Sequence, residues 1–159
     1  MNFYIQQKVI TFTDQFTVRD DWGNCIYTVR QQIFSWGKEY HILDQAGLEV
    51  AVLKEEVLHF LPCYQVIIGY EIIARIRKQL TFLSSRYILE GTDWQVCGNI
   101  LDHDYEITDS LGVVAEIHRW WMSWGDCYRL SIAQGADDLL ALCCVLAIDC
   151  VNEKSRNRQ

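Results

Sequence analysis

Proline occurs once in 159 residues, which excludes a proline-rich linker or a collagen-like segment. Basic side chains are scarce as well: 14 Lys and Arg stand against 21 Asp and Glu, for a formal net charge of −7. Nucleic-acid surfaces bind by releasing counterions from phosphate through basic patches, so this balance argues against a nucleic-acid partner. Long apolar runs are missing. The longest uncharged one, Leu139 to Ile148, has ten residues, whereas a bilayer-spanning helix needs about 20; no transmembrane segment is expected. The opening Met1-Asn2-Phe3-Tyr4-Ile5-Gln6 has neither a basic region nor an apolar stretch behind it, so no signal peptide is expected. The seven cysteines form an odd set without a C-x-x-C pair, which gives neither a disulfide framework nor a zinc spacing. Cys143 and Cys144 sit inside the apolar run, where a thiol acts as a small hydrophobe. The expected setting is reducing and cytoplasmic. G-x-S-x-G, H-E-x-x-H and P-loop patterns are absent too. The reading therefore assigns no catalytic residue, no metal and no cofactor, and it leans away from an enzyme.

What is present suits a packed core. Half of the residues are apolar and 13% are aromatic, and the length fits one domain spanning 1–159. Charge is unevenly spread. Residues 1–78 carry 8 basic and 9 acidic side chains, residues 79–150 carry 3 and 11, and Lys154, Arg156 and Arg158 reverse the sign at the end.

A repeat runs along the chain. Phe16, Tyr40, Tyr64, Tyr87, Tyr105 and Tyr128 each open a short apolar alternation, at spacings of 24, 24, 23, 18 and 23 residues. Four to six residues ahead of them stand Phe12, Phe34, Phe60, Phe82, Leu101 and Met122. Turn signals follow several units: Asp20-Asp21-Trp22-Gly23-Asn24, Asp44-Gln45-Ala46-Gly47 and Asp109-Ser110-Leu111-Gly112. Asp or Asn beside Gly supplies the positive φ of a tight hairpin. Six strand–turn–strand units make about twelve strands, too many for an open sheet that leaves its edges bare. Two-stranded units of about 23 residues are too small for propeller blades, which need four strands and roughly 40–50 residues. The two Ser-Trp-Gly turns, Ser35-Trp36-Gly37 and Ser123-Trp124-Gly125, are expected to cap one end of a closed barrel.

The C-terminal stretch breaks the period. From Asp137-Asp138 through Leu139–Val151 there is no turn residue, and only Asp149 interrupts the apolar side chains. Asp137 can cap a helix placed at about 137–152, roughly 24 Å long, with a polar tail over 153–159. A short helix that is apolar all round must be enclosed by the protein itself, and a twelve-stranded barrel has room for it.

Several motifs in order resemble the LURP-one-related (YxjI-like) family of the tubby-like superfamily, with phospholipid scramblases as distant relatives. They are Phe34-Ser35-Trp36-Gly37-Lys38, Gly91-Thr92-Asp93-Trp94, Asp102-His103-Asp104-Tyr105-Glu106-Ile107, Trp121-Met122-Ser123-Trp124-Gly125-Asp126 and Asp137-Asp138-Leu139-Leu140-Ala141-Leu142 with Ala147-Ile148-Asp149. The resemblance implies an all-β fold with one helix, a twelve-stranded closed barrel around a central hydrophobic C-terminal helix. Tubby domains bind phosphoinositide head groups through Lys and Arg on adjacent strands; their lipid motif has no residue-by-residue match here, so no site carries over.

Candidate sites are few. Arg75, Arg77 and Lys78, joined by Arg86 if the next strand pairs back, form the densest basic cluster and could hold an anion through guanidinium forks. A solvated strand face balanced by Glu71 and Glu90 explains the same residues. Lys154, Arg156 and Arg158 are either a lipid contact or a frayed tail. Strand alternation over Asp102-His103-Asp104 sets the two carboxylates on one face and His103 on the other, without a catalytic partner. Trp120 or Trp121 faces outward, as a membrane or partner anchor or as cover for a neighbouring strand. Asp149 needs a partner at the barrel mouth, since a buried carboxylate must be paired. The expected function is a non-enzymatic binding module for an anionic phospholipid head group or a membrane-associated protein, peripheral at the membrane. Two alternatives stay open: a small-ligand or hydrolytic pocket near His103, and a structural or regulatory adaptor. The sequence assigns no oligomeric state.

Overall fold

A computed structural model describes residues 1–6, 15–58, 60–80, 85–122 and 125–156. These residues form twelve antiparallel strands and one long helix: β1 (Asn2–Gln6), β2 (Gln15–Arg19), β3 (Cys25–Phe34), β4 (Gly37–Leu43), β5 (Glu49–Glu55), β6 (Cys63–Ile68), β7 (Glu71–Leu80), β8 (Ser85–Glu90), β9 (Gln95–Asn99), β10 (Asp104–Thr108), β11 (Val113–Met122), β12 (Gly125–Ile132) and α1 (Asp138–Arg156). Every strand pairs with its neighbours in sequence, and β1 closes the barrel against β12, from Asn2↔Ser131 to Gln6↔Cys127. Closure removes both free edges.

The helix lies inside. Leu140 to Ile148 are buried at every position, so no face of α1 is left to solvent in that stretch. Asp137 caps it: its carboxylate accepts the Leu140 N–H at 2.9 Å and its carbonyl accepts the Ala141 N–H at 3.0 Å. The helix continues to Arg156, through residues that the sequence reading assigns to a polar tail. Around it, the six repeat aromatics Phe16, Tyr40, Tyr64, Tyr87, Tyr105 and Tyr128 fall one on each even-numbered strand and are all buried. The period of the repeat is thus the spacing between successive strands of one direction. Cys143 and Cys144 are buried within the helix, and burial pushes the Cys144 thiol up to about 12 and the Cys143 thiol well up. All seven cysteines are free thiols.

The two ends of the barrel differ. At one, called here the turn end, the connections β2–β3, β4–β5 and β10–β11 share one design. Asp20, Asp44 and Asp109 each accept two backbone N–H bonds through Oδ1, at 2.7–3.0 Å, from the following turn. Gly23, Gly47 and Gly112 supply the positive φ. These three carboxylates therefore have a local task, which is to satisfy backbone donors in tight turns. The opposite end, the mouth, receives the connections β3–β4, β5–β6, β7–β8, β9–β10 and β11–β12 together with the C-terminal turns of α1.

Trp36 does not cap the barrel. It is 58% exposed and stacks in parallel on Phe34 at 5.2 Å. The following Gly37 has φ +130°, and a Cβ there would stand 2.9 Å from Val57 Cγ1, so the β3–β4 turn lies close against the β5–β6 connection. Trp124, in the second Ser-Trp-Gly turn, lies outside the described residues. Leu142→Ala, which hollows the enclosed helix, is expected to lower unfolding free energy by about 2–5 kcal/mol in a denaturant titration. Leu111→Ala at an exposed turn tip should change it by no more than about 0.5 kcal/mol.

Candidate functional site at the barrel mouth

The sequence-predicted cationic cluster divides between two faces of β7. Ala74 and Ile76 are buried, so Arg75 and Arg77 alternate onto the outer face. There Arg75 Nε lies 3.2 Å from Glu56 Oε1, and Arg77 meets Glu90 Oε1 through Nε at 2.7 Å and Nη2 at 2.6 Å. Lys78 takes the parity of Ala74 and Ile76 instead and sits opposite Tyr87 on β8. It lines a cavity of about 350 Å³ with Tyr87, Gly98, Asn99, Ile100, Leu101 and Asn152. Among the described residues no carboxylate pairs with its ammonium group. Arg86 pairs its backbone with Gln79, and its side chain lies outside the described residues. The side chains of Lys154 and Arg156, and the whole of Arg158, lie outside them too.

The floor of the mouth comes from the last turns of α1. Asp149 and Asn152, three apart, share one helical face, and both are buried. Asn152 Oδ1 accepts a short hydrogen bond from the Tyr87 hydroxyl, and Asp149 Oδ2 accepts one from Tyr128. Burial, followed by the Asp149 charge, pushes the Tyr128 phenol well up, so it remains a donor. Two of the repeat tyrosines therefore carry the hydroxyls that let a polar helix end sit inside a barrel.

His103 completes this arrangement, in a conformation that departs from the expected alternation. Residues Ile100–Asp102 form a 3₁₀ turn, and His103 follows it at φ 50° and ψ 48° in the left-handed region. The reversal separates the two aspartates: Asp102 accepts from Asn99 Nδ2 at 2.6 Å, and Asp104 lies 2.7 Å from His118 Nδ1. It also turns the imidazole inward. The ring stacks on Tyr128 at 4.6 Å with 4° between planes, and Nδ1 stands 3.5 Å from Asp149 Oδ1. Asp149 thus has its partners at the mouth, and His103 has a carboxylate neighbour 46 positions further along the chain. Among the described residues, no hydroxyl or thiol is hydrogen-bonded to His103. Among the described residues, the arrangement joins the end of the helix to the barrel wall.

Trp120 is 40% exposed and also packs on the neighbouring strands. Its ring lies 6.4 Å from that of Tyr4 and carries the Arg129 guanidinium at 4.6 Å, a cation–π contact. Trp121 has no described side chain. A shallower depression of about 280 Å³ on β9–β11 is lined by Cys97, Asp104, Glu106, Glu116 and His118 among others. Among the described residues no group of His, Cys, Asp or Glu converges as a metal site.

Lys78, Tyr87, Tyr128 and Asn152 were not assigned together from the sequence. The repeat marks the two tyrosines, and the parity of β7 gives the direction of Lys78; the missing information is which strand ends surround the end of the helix. Asp149→Ala leaves the Tyr128 hydroxyl without its acceptor, at about 1–3 kcal/mol. For a chain of this size that corresponds to roughly 2–4 °C in Tm per kcal/mol, readable by calorimetry. An unchanged Tm would show that the contact does not clamp the helix.

Comparison with known proteins agrees with this architecture. The sequence profile of the LURP-one-related family matches residues 1–149. An uncharacterized protein of Bacillus subtilis (strain 168), YxjI, is 26% identical over 151 residues, covering 95% of this chain and 93% of that one. An X-ray structure of a protein from Arabidopsis thaliana superposes with a TM-score of 0.68 at 19% identity, covering 95% of this chain and 91% of the other; at that identity the likeness concerns the fold. With a profile match over nearly its whole length and a barrel enclosing one C-terminal helix, the chain belongs to the LURP-one-related family.

Proposed function

We propose that this chain is a non-enzymatic binding module that takes an anionic phospholipid head group at the barrel mouth, peripheral to the membrane. The observation that carries the reading is Lys78, an inward-facing ammonium group above a cavity of about 350 Å³, with no carboxylate paired to it among the described residues. That volume is in the range of small-ligand sites. Because Asn152 Oδ1 is engaged by Tyr87, its amide N–H₂ is the part left to donate to a phosphate oxygen. The C-terminal dipole of α1 disfavours an anion there; Lys78 supplies the compensating charge, and Lys154 and Arg156 stand in the last helical turn. Arg75 and Arg77, already matched by Glu56 and Glu90, are assigned a supporting role in the outer surface only. The hydrolytic alternative at His103 has less support, because that imidazole is stacked on Tyr128 beside a structural carboxylate.

Co-sedimentation with phosphatidylcholine, phosphatidylglycerol-containing and phosphoinositide-containing vesicles tests this at low and physiological salt. The expected outcome is pelleting with anionic vesicles, weakened by salt, and reduced roughly 10–30-fold by Lys78→Glu on the basis of about 1 kcal/mol per charge near the surface. Arg75→Glu/Arg77→Glu should reduce it less. Anionic binding that is unchanged in a folded Lys78→Glu variant sinks the head-group assignment.

A further inference from the structure

We infer that the β3–β4 and β5–β6 connections form an apolar foot that enters the interfacial layer of an anionic phospholipid bilayer. The inference rests on the membrane reading above and adds which surface penetrates. Leu58 is 98% exposed and Phe60 is 91% exposed, beside the exposed Trp36 on the neighbouring turn. The two connections are continuous in space, because Gly37 is packed against Val57 and Glu55 and Phe34 backs Trp36. Burying exposed Leu, Phe and Trp side chains against lipid acyl chains is favourable by area alone, and tryptophan suits the interfacial depth.

The sequence repeat points to the same surface. Of its first marker series, Phe34, Phe60 and Leu101 have described side chains, and none of these three shares the buried position of the second series. Where side chains are described, Phe60 and Leu101 are exposed at the mouth end, and Phe34 is only partly covered. A repeated apolar position that does not enter the core is a feature of the rim.

Charge selects this end of the barrel. Carboxylates beside the foot have partners: Glu39 Oε1 with Lys54 Nζ at 3.0 Å, Glu56 with Arg75, and Glu55 with the Lys38 backbone N–H at 3.0 Å. Lys38 follows the foot in sequence, and Lys78 faces the same mouth. The turn end also shows exposed apolar tips, Trp22 and Leu111 among them, but its hairpins are led by Asp20, Asp44 and Asp109, and the helix begins there with Asp137-Asp138. An anionic surface repels that end and accepts the other.

Tryptophan quenching by brominated phospholipid distinguishes the ends. Vesicles of phosphatidylcholine and of phosphatidylcholine with phosphatidylglycerol are the probes, with the full chain and circular dichroism to check folding. The expected result is quenching of a component that disappears in Trp36→Phe and persists in Trp22→Phe. Leu58→Asp/Phe60→Asp should reduce partitioning onto both vesicle types by at least roughly 10-fold, whereas Lys78→Glu should remove only the increment due to phosphatidylglycerol. Identical quenching in Trp36→Phe and the parent overturns the foot, as does unchanged partitioning of folded Leu58→Asp/Phe60→Asp. If those aspartates instead split a dimer while vesicle binding persists, the surface joins copies of the chain and the proposal falls. If they abolish binding while Lys78→Glu has no effect, the foot stands and the head-group site fails. A parent that partitions onto no vesicle overturns both.

Discussion

The structure depends on one constraint: a twelve-stranded barrel is too wide for its own inward side chains to fill. Eight strands give an interior that side chains can close, and sixteen or more leave an aqueous channel. Here a 19-residue helix supplies the missing volume. The barrel in turn supplies the only environment in which a helix apolar on all faces can rest outside a membrane. Neither part has a satisfactory alternative in water, so the two fold against each other or not at all. The six aromatics on the even strands mark where the sheet meets its filling.

Filling a barrel with a helix creates a second problem at the helix end, where carbonyl groups and the side chains of Asp149 and Asn152 would face apolar walls. The fold answers it with polar groups already placed on the aromatic ring. Tyr87 and Tyr128 present hydroxyls to Asn152 and Asp149, and His103 stacks over Tyr128 beside the carboxylate. The same requirement that makes the mouth polar sets these groups beside the proposed head-group cavity, where Lys78 has no paired carboxylate among the described residues. The structural role and the proposed binding role at this end share Tyr87 and Asn152, which line the cavity and hold each other by a hydrogen bond.

The two ends have taken different chemistry from a common repeat. At the turn end, Asp20, Asp44 and Asp109 satisfy backbone donors of their hairpins, with Gly23, Gly47 and Gly112 at positive φ. Both ends carry exposed apolar tips, Trp22 and Leu111 at the turn end and Trp36, Leu58 and Phe60 at the mouth. Several acids are used by tight turns, and Glu39, Glu56 and Glu90 are matched by nearby cations, so the acidic excess is not spread evenly over the surface. Net charge alone describes neither end.

Local patterns were legible in the sequence. Alternation placed the strands, Asp with Gly placed the hairpins, the spacing of Phe16 to Tyr128 counted the strand pairs, and the unbroken apolar stretch after Asp137 identified an enclosed helix. Each of these is set by backbone geometry or by hydrogen bonds within a few residues, so it survives any arrangement of the rest. Tertiary structure decided the site. Strand parity turns Lys78 away from Arg75 and Arg77, but that it meets a cavity depends on where β7 ends relative to the helix. The meeting of His103 with Asp149 needs a left-handed residue after a 3₁₀ turn and a helix rotated to face it, two facts separated by 46 positions in sequence. Trp36 is exposed and stacked on Phe34, in a turn whose Gly37 lies against the neighbouring β5–β6 connection. Spacing along a chain determines which residues share a face; only the closed barrel determines which faces meet.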